Sequence, residues 1–329
     1  MTRRNQTLGR HRSGGFSLIE LMVSLTIGLI IAVAAFSAYL GASNAGKTSE
    51  AQVRMNEDGQ AALSILTQQL RMAGNNPGQS DRVFASRRNP VYGTTTFTTS
   101  PSTFTLSAFS IRGCDGKFSD ITTASTLDAL TCGGGTTTLP DSIAVNYEAD
   151  IYNTLPTSTG LPSDCLGSRL SVITATFPAT SPTSATSGTY AVADNRFYIG
   201  TSTAILSPSL YCRGNGGAGT TQPMVENIED LQFTYGTIST STTATTATVA
   251  GYLDASDVGT LATTPADDAT RWGKVLTVRI CVIVRSEAAV APDATSARYV
   301  NCKGDTVAAP DLRLRRAYST TVVLRNRRI

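Results

Sequence analysis

The chain has 329 residues with 27 basic side chains, 24 acidic side chains and one histidine, His11. Because His11 lies near the N-terminus, the rest of the chain lacks the serine–histidine and cysteine–histidine pairs of the common nucleophilic enzymes. Four arginines precede residue 13, which leaves 23 basic against 24 acidic residues in the remainder. This balance gives no reason to expect a nucleic acid or another acidic partner.

An apolar segment occupies residues 16–40. As a helix with about 1.5 Å rise per residue it would be roughly 37 Å long, which is enough to cross a bilayer. The leader before it carries only basic charges, namely Arg3, Arg4, Arg10 and Arg12. The positive-inside rule therefore predicts that everything after residue 40 lies on the outer side of the membrane.

Glu20 is the only charged residue in this apolar segment. An ionised carboxylate in hydrocarbon costs on the order of 3 kcal/mol, so a chain that keeps one there needs a partner for it, such as a positive charge from another subunit. An ordinary secretory signal is excluded, because its cleavage site follows the apolar core, whereas Gly14-Gly15 precedes it here. Cleavage at this junction would remove the basic leader and keep the helix.

The junction resembles the G-F-S/T-L-x-E motif of the type IV pilin and pseudopilin superfamily, with Gly15, Phe16, Leu18 and Glu20 at the matching positions. The resemblance implies that prepilin peptidase removes residues 1–15, that Gly15 is the last leader residue and that Phe16 becomes the N-methylated first residue. It also implies that Glu20 pairs with the freed amine of a neighbouring subunit. Opposite charges attract strongly in a low-dielectric environment, where either charge alone is penalised.

The helix is predicted to continue beyond the membrane through a second half, residues 41–76. Leu63, Leu66 and Leu70 recur at helical spacing between polar residues, so one face should pack against a globular domain. Gly74 as a C-cap and Pro77 as a helix breaker should end the helix.

Residues 77–329 are rich in Thr, Ser, Gly and Ala and predict a β-rich globular domain. The chain as a whole is therefore predicted to be α+β, of type IV pilin-like fold, with a long N-terminal helix packed on an antiparallel sheet. Residues 236–250 are of low complexity and predict an exposed loop. The candidate strands are Thr103–Ile111, Ser142–Tyr147, Arg169–Ala175, Arg196–Ile199, Leu231–Tyr235, Val275–Val284 and Thr320–Arg325.

Six cysteines follow the membrane segment, an even number that suggests disulfides in an oxidising compartment. Six cysteines allow fifteen connectivities, and the sequential pairing is favoured because each pair closes a segment expected to be a loop or hairpin. The sequential pairs are Cys114 with Cys132, Cys165 with Cys212, and Cys281 with Cys302. A metal site is not expected, because no C-x-x-C spacing occurs and the single histidine is in the leader.

Two further motifs have plainer structural interpretations. Residues 214–219 satisfy G-x-G-x-x-G, but Pro223 follows where a phosphate-binding helix would begin, so no nucleotide or other cofactor is expected. A calcium site would need oxygen ligands, but the candidates lack EF-hand spacing, and solvated loop charges are favoured. These candidates are Asp254, Asp257, Asp267 and Asp268.

The C-terminal region is rich in arginine. A nucleic-acid patch would have interleaved aromatic residues, and Tyr318 is the only one. A strand with a basic edge, which blunts sheet pairing or meets an acidic partner, is favoured. The arginines are Arg313, Arg315, Arg316, Arg325, Arg327 and Arg328.

Three stretches, residues 225–236, 272–286 and 322–327, look like the PilW family of minor pilins and, more distantly, the J-type minor pseudopilins of type II secretion. The resemblance implies a pilus assembly protein and not an enzyme, first held in the inner membrane with its domain in the periplasm, then incorporated near a pilus tip. Expected partners are other minor pilins, the major pilin, the prepilin peptidase and methylase, and the inner-membrane assembly machinery. The alternatives are a minor pseudopilin and a membrane-anchored periplasmic binding or hydrolase domain.

Overall fold

A computed structural model describes residues 15, 17–75, 96–99, 102–105, 109–124, 126–134, 139–177, 186–203, 206–217, 221–238 and 248–326. The chain divides into two units, residues 1–50 and residues 51–329, and each is described by itself. One helix, α1, begins at Leu18 and ends at Met72, so its residues belong to both units.

In the first unit, the helical residues 18–50 are almost entirely exposed. Hydroxyl groups within the apolar segment are satisfied by the helix itself. Ser24 Oγ donates to the carbonyl oxygen of Leu21 at 3.0 Å, and Thr26 Oγ1 donates to that of Val23 at 2.8 Å.

In the second unit, the strands form two main antiparallel sheets. The first has the order β3-β4-β6-β7-β8, with β5 also paired to β6, and the second has the order β10-β9-β11-β14. The strands of the first sheet are β3 Ile111–Cys114, β4 Ser142–Glu148, β5 Val172–Phe177, β6 Thr186–Gly200, β7 Ser209–Arg213 and β8 Thr221–Glu226. Those of the second are β9 Ile228–Ile238, β10 Val249–Leu253, β11 Val275–Ala289 and β14 Arg313–Val323.

Smaller elements complete the second unit. Two short hairpins pair β1 with β2 and β12 with β13. The elements are β1 Thr96–Thr99, β2 Ser102–Thr105, β12 Tyr299–Val300 and β13 Thr306–Val307, with short helices α2 Ala255–Gly259 and α3 Asp268–Gly273. The α+β layout of a long helix packed against antiparallel sheets confirms the predicted fold class.

The second half of α1 packs on these sheets through a narrow stripe at helical spacing: Met55, Gly59, Ala62, Leu66 and Leu70. Polar contacts fix its position, since Tyr318 Oη donates to Asn56 Oδ1 at 2.6 Å and Asn195 Nδ2 donates to Gln69 Oε1 at 2.8 Å. Gly74 ends the helix in a left-handed conformation with φ of 71°, as expected of a C-cap glycine.

The predicted strands Ser142–Tyr147, Leu231–Tyr235 and Val275–Val284 all lie within observed strands. Other boundaries were wrong. The strand predicted from Thr103 to Ile111 is two separate strands, the one predicted from Arg169 begins at Val172, and the C-terminal one begins at Arg313 and not at Thr320. The predicted loop 236–250 was too wide, because Gly236 and Thr237 are buried within β9 and β10 begins at Val249. Its central residues 239–247 lie outside the described residues.

Three disulfides cross-link the domain in the sequential order predicted from the sequence. Cys114 is joined to Cys132 with a Cα–Cα distance of 5.6 Å, Cys165 to Cys212 at 6.6 Å, and Cys281 to Cys302 at 5.8 Å. Each links a strand to a loop. Such cross-links stabilise the folded state by about 2–4 kcal/mol each, because they restrict the unfolded chain.

Candidate assembly site on the N-terminal helix

Glu20 lies in the first turn of α1, where it forms a reciprocal pair of hydrogen bonds with Ser17. The backbone N–H of Ser17 donates to Glu20 Oε2 at 3.0 Å, and the backbone N–H of Glu20 donates to Ser17 Oγ at 3.2 Å. This is a capping box, in which a serine and a glutamate three residues later satisfy N–H groups that the helix leaves free. The carboxylate also faces the positive end of the helix dipole.

Of the two residues at the predicted cleavage point, the structure describes Gly15. Gly15 is exposed, and a Cβ at this position would contact nothing within 4 Å. Phe16 lies outside the described residues, so the structure does not test the predicted junction. The role of Ser17 was missed in the sequence interpretation, although the S-x-x-E spacing is a sufficient signal for a capping box.

The helix that follows displays apolar side chains over its whole circumference. Among the described residues, α1 alone is long and apolar enough to cross a membrane. Ile30 is 69% exposed and Phe36 is 63% exposed. The other large apolar residues exposed here are Leu18, Ile19, Leu21, Met22, Val23, Leu25, Ile27, Leu29, Ile31, Val33, Tyr39 and Leu40. An apolar surface of this extent needs lipid or other apolar helices around it.

The glycine-rich motif at residues 214–219 has a structural role in the parts that are described. Asp164 Oδ2 accepts a hydrogen bond from the backbone N–H of Gly216 at 2.9 Å. A Cβ on Gly214 would lie 2.0 Å from the same carboxylate oxygen, so only glycine fits there. The next element in the described chain is strand β8, not a helix. These glycines therefore let a loop carboxylate approach the backbone closely.

Two of the four candidate calcium ligands, Asp267 and Asp268, have structural roles. Asp267 accepts a hydrogen bond from the backbone N–H of Thr270 at 2.7 Å and so caps α3. Asp268 forms ion pairs with Arg112 at 3.3 Å and Arg271 at 3.2 Å. Across the described residues, no group of three or more His, Cys, Asp or Glu side chains is arranged to hold a metal ion.

The C-terminal arginines fall into two groups. Arg315 is buried and donates to Glu229 Oε1 at 3.0 Å and to Asp311 Oδ1 at 2.7 Å. Burial alone would lower the pKa of Arg315, but the hydrogen bonds that it donates to these two carboxylates outweigh this effect and raise that pKa. Arg316 and Arg325 are exposed instead. Arg327 and Arg328 lie outside the described residues.

A buried carboxylate that the sequence did not single out joins the two sheets. Asp141, just before β4, accepts hydrogen bonds from the backbone N–H of Phe233 in β9 at 2.8 Å and of Gly116 at 3.2 Å. Burial raises the pKa of Asp141 to about 7, against the opposing effect of these donors. The side chain is placed to support the fold, since its donors are backbone groups of two separate segments.

The long apolar helix on antiparallel sheets, with a carboxylate in its first turn, defines a type IV pilin-like protein. Two family models agree with this assignment: the prokaryotic N-terminal methylation motif matches residues 10–36, and the type IV pilus-assembly protein W family, PilW, matches residues 196–326. The resemblance recognised from the sequence is thereby confirmed in two parts of the chain, and the two matches support a type IV pilus-related minor pilin. No curated protein and no solved structure matches the chain.

Proposed function

We propose that the protein is processed after Gly15, acquires an N-methylated Phe16, and acts in a priming complex of minor pilins from which the pilus polymerises. In this proposal residues 51–329 lie in the periplasm until assembly and at the pilus tip afterwards. The role is structural and requires no cofactor. The matches to the methylation motif and to the pilus-assembly family support it.

The exposed apolar surface of residues 18–40 supports the first step of this mechanism. While the protein is in the membrane, lipid covers these side chains. During assembly the helices of other pilins take the place of lipid, so little apolar surface has to enter water at any stage. The interaction requires that neighbouring helices expose similarly apolar surfaces, as members of one superfamily would.

The observation that carries the proposal is the geometry of Glu20. Its carboxylate is bonded to a neutral backbone N–H of its own chain, that of Ser17, at 3.0 Å. Cleavage after Gly15 would convert the Phe16 nitrogen from an amide into a charged amine. A neighbour's amine is a stronger partner than an amide, because it carries a full positive charge and adds the attraction between two opposite charges in a low-dielectric environment. We infer that Glu20 exchanges its local partner for this amine and so selects processed subunits.

The experiment compares Glu20→Val with Glu20→Gln and the wild-type chain, each expressed in cells from which the native copy is deleted. Both substitutions remove the charge, while glutamine keeps the shape and one acceptor of the capping box. We expect normal membrane levels and a normal mature mass for all three proteins. Recovery in sheared pili should fall at least tenfold for both variants, and the number of pili per cell should fall with it.

Equal recovery of Glu20→Gln and wild type would contradict the charge pairing. A mature mass that still contains Met1 in assembled pili would contradict the cleavage site. Co-purification with secretion pseudopilins and not with pilins would favour the pseudopilin alternative, against which the PilW match at residues 196–326 now stands.

A further inference from the structure

Strand β14 forms one edge of the second sheet. It is paired with β11 from Thr277↔Val323 to Ala289↔Arg313, and among the described residues no other strand pairs with it in that sheet. The beginning of β14 is covered, because the backbone N–H of Ala291 donates to the carbonyl oxygen of Leu312 at 3.0 Å and Arg315 lies over the Tyr299 ring. The open part of the edge is therefore residues 316–324.

The second half of α1 covers one face of β14 and leaves this edge uncovered. Tyr318 contacts Asn56, and Asn326 Nδ2 donates to the carbonyl oxygen of Arg71 at 2.8 Å, so the strand and the helix run side by side. Ser319, Thr321 and Val323 point to the other face and are exposed. An edge strand of this length, with unpaired backbone N–H and C=O groups, is a template for another strand.

The charges along the open edge are of one sign. Arg313 and Arg315 are engaged by Asp311 and Glu229. Arg316 lies over the Tyr318 ring at 5.6 Å, and neither it nor Arg325 has a carboxylate partner in the described part of the chain.

The segment between these two arginines, residues 317–324, is uncharged. Arg316 lies within β14, and Arg325 lies two residues beyond its end at Val323. The two are nine positions apart, so a continued extended chain would place them on opposite faces at roughly 30 Å separation.

We propose that the open edge of β14 binds an extended segment of a neighbouring protein subunit as an added strand, and that this segment carries acidic residues at both ends. Backbone hydrogen bonds along residues 317–324 supply affinity that depends little on sequence. Arg316 and Arg325 supply selectivity, because they attract carboxylates and repel basic segments. The inference rests on the geometry of β14 and not on Glu20, so either can fail while the other holds.

The test uses the full-length protein in detergent and a fluorescent ten-residue peptide, Glu-Thr-Val-Thr-Ser-Thr-Val-Thr-Ser-Glu, with blocked termini. Its two glutamates are nine positions apart and so match the spacing of the arginines. Binding is measured by fluorescence anisotropy. A second peptide has the same sequence and charge but carries N-methyl groups on all of its central amides, so neither of its edges can donate hydrogen bonds to a strand. We expect this peptide to bind at least tenfold more weakly.

A charge-reversed variant, Arg316→Glu with Arg325→Glu, should bind the acidic peptide at least tenfold more weakly and should prefer the same peptide with lysine at both ends. The matched control is Lys117→Glu with Arg169→Glu, which reverses two exposed charges elsewhere in the domain and should leave binding unchanged.

Three outcomes would overturn the proposal. Equal binding of the N-methylated peptide would show attraction between charges without strand addition. Absence of binding to the wild-type protein would show that the edge does not accept a strand. Self-association of an Arg316→Ala, Arg325→Ala variant without peptide binding would show that the arginines only protect the edge.

Discussion

The two halves of α1 use apolar residues in opposite ways. Residues 18–40 expose them on all sides and contain one charged residue, Glu20, whereas residues 51–72 bury only a narrow stripe and keep polar residues elsewhere. The first half is therefore built for an apolar environment outside the chain, and the second half contributes to the stability of its own domain. A continuous helix can thus carry two separate functions, which can be tested by paired substitutions.

The largest effect on stability is expected where the second half enters the core. Leu66 is 1% exposed, so Leu66→Ala should lower the free energy of unfolding by about 2–5 kcal/mol through lost burial and a cavity. The measurement is denaturant unfolding followed by fluorescence of the single tryptophan, Trp272, which is buried and in edge contact with Tyr235 at 5.0 Å between ring centroids.

The matched control is Ile30→Ala, in the first half, where the side chain is 69% exposed. Its unfolding midpoint should equal that of the wild-type protein within error. Equal shifts of the midpoint for Leu66→Ala and Ile30→Ala would contradict the claim that only the second half of α1 stabilises the domain.

The domain also buries a carboxylate, that of Asp141, and this burial changes its pKa. The pKa of Asp141 is raised from 3.8 to about 7 by burial. Between these values the folded state keeps a proton that the unfolded state loses, so the contribution of Asp141 to stability should fall by about 1.4 kcal/mol per pH unit as pH rises from 4 to 7. Above pH 7 it should be constant.

Asp141→Asn removes this titration. The difference in the free energy of unfolding between wild type and variant should therefore be greatest near pH 4 and should decrease towards pH 7. Asp58 and Asp254 also have raised pKa values, but they are present in both proteins and do not act on Asp141, so they cancel in the difference. Asp230 contributes to the raised pKa of Asp141, so its change belongs to the measured difference. A difference that does not change with pH would show that Asp141 is not protonated in this range.

The smallest effect on stability is expected from alanine substitutions at two glycines of α1. A Cβ on Gly59 would lie 2.6 Å from the ring of Tyr318, so Gly59→Ala should lower the free energy of unfolding by about 1–3 kcal/mol, because the two elements are already in contact. Gly46→Ala meets open space and should instead be neutral or stabilise the helix by up to about 1 kcal/mol. Unfolding midpoints measure both, and equal shifts would contradict the close packing of α1 on β14.

The sequence predicted those features that depend on neighbouring residues. The helix stripe at Leu66 and Leu70 follows from local periodicity, and the cap at Gly74 from a local stop signal. The N-terminal motif is also local, and it led to the correct family. The capping box of Ser17 and Glu20 was available from the same kind of signal and was overlooked.

Features that depend on distant partners were not predictable in this way. The sequence did not predict the first residues of strand β14. Arg315 is typical of a surface residue in the sequence, and the carboxylate partner that allows its burial, Glu229, is 86 residues away. Strand β6 contains Arg196, which is buried because it forms an ion pair with Asp194 at 2.7 Å and donates to the carbonyl oxygen of Ile121. Strand β8 contains Pro223, which is tolerated because β8 is an edge strand.

The order of the disulfides has a consequence for how the domain matures. The three bonds span 18, 47 and 21 residues and do not interleave. A chain that emerges N-terminus first can complete each cross-link before the next two thiols become available. The correct disulfides can then form in the order in which the cysteines appear, without an isomerase to rearrange wrongly paired ones.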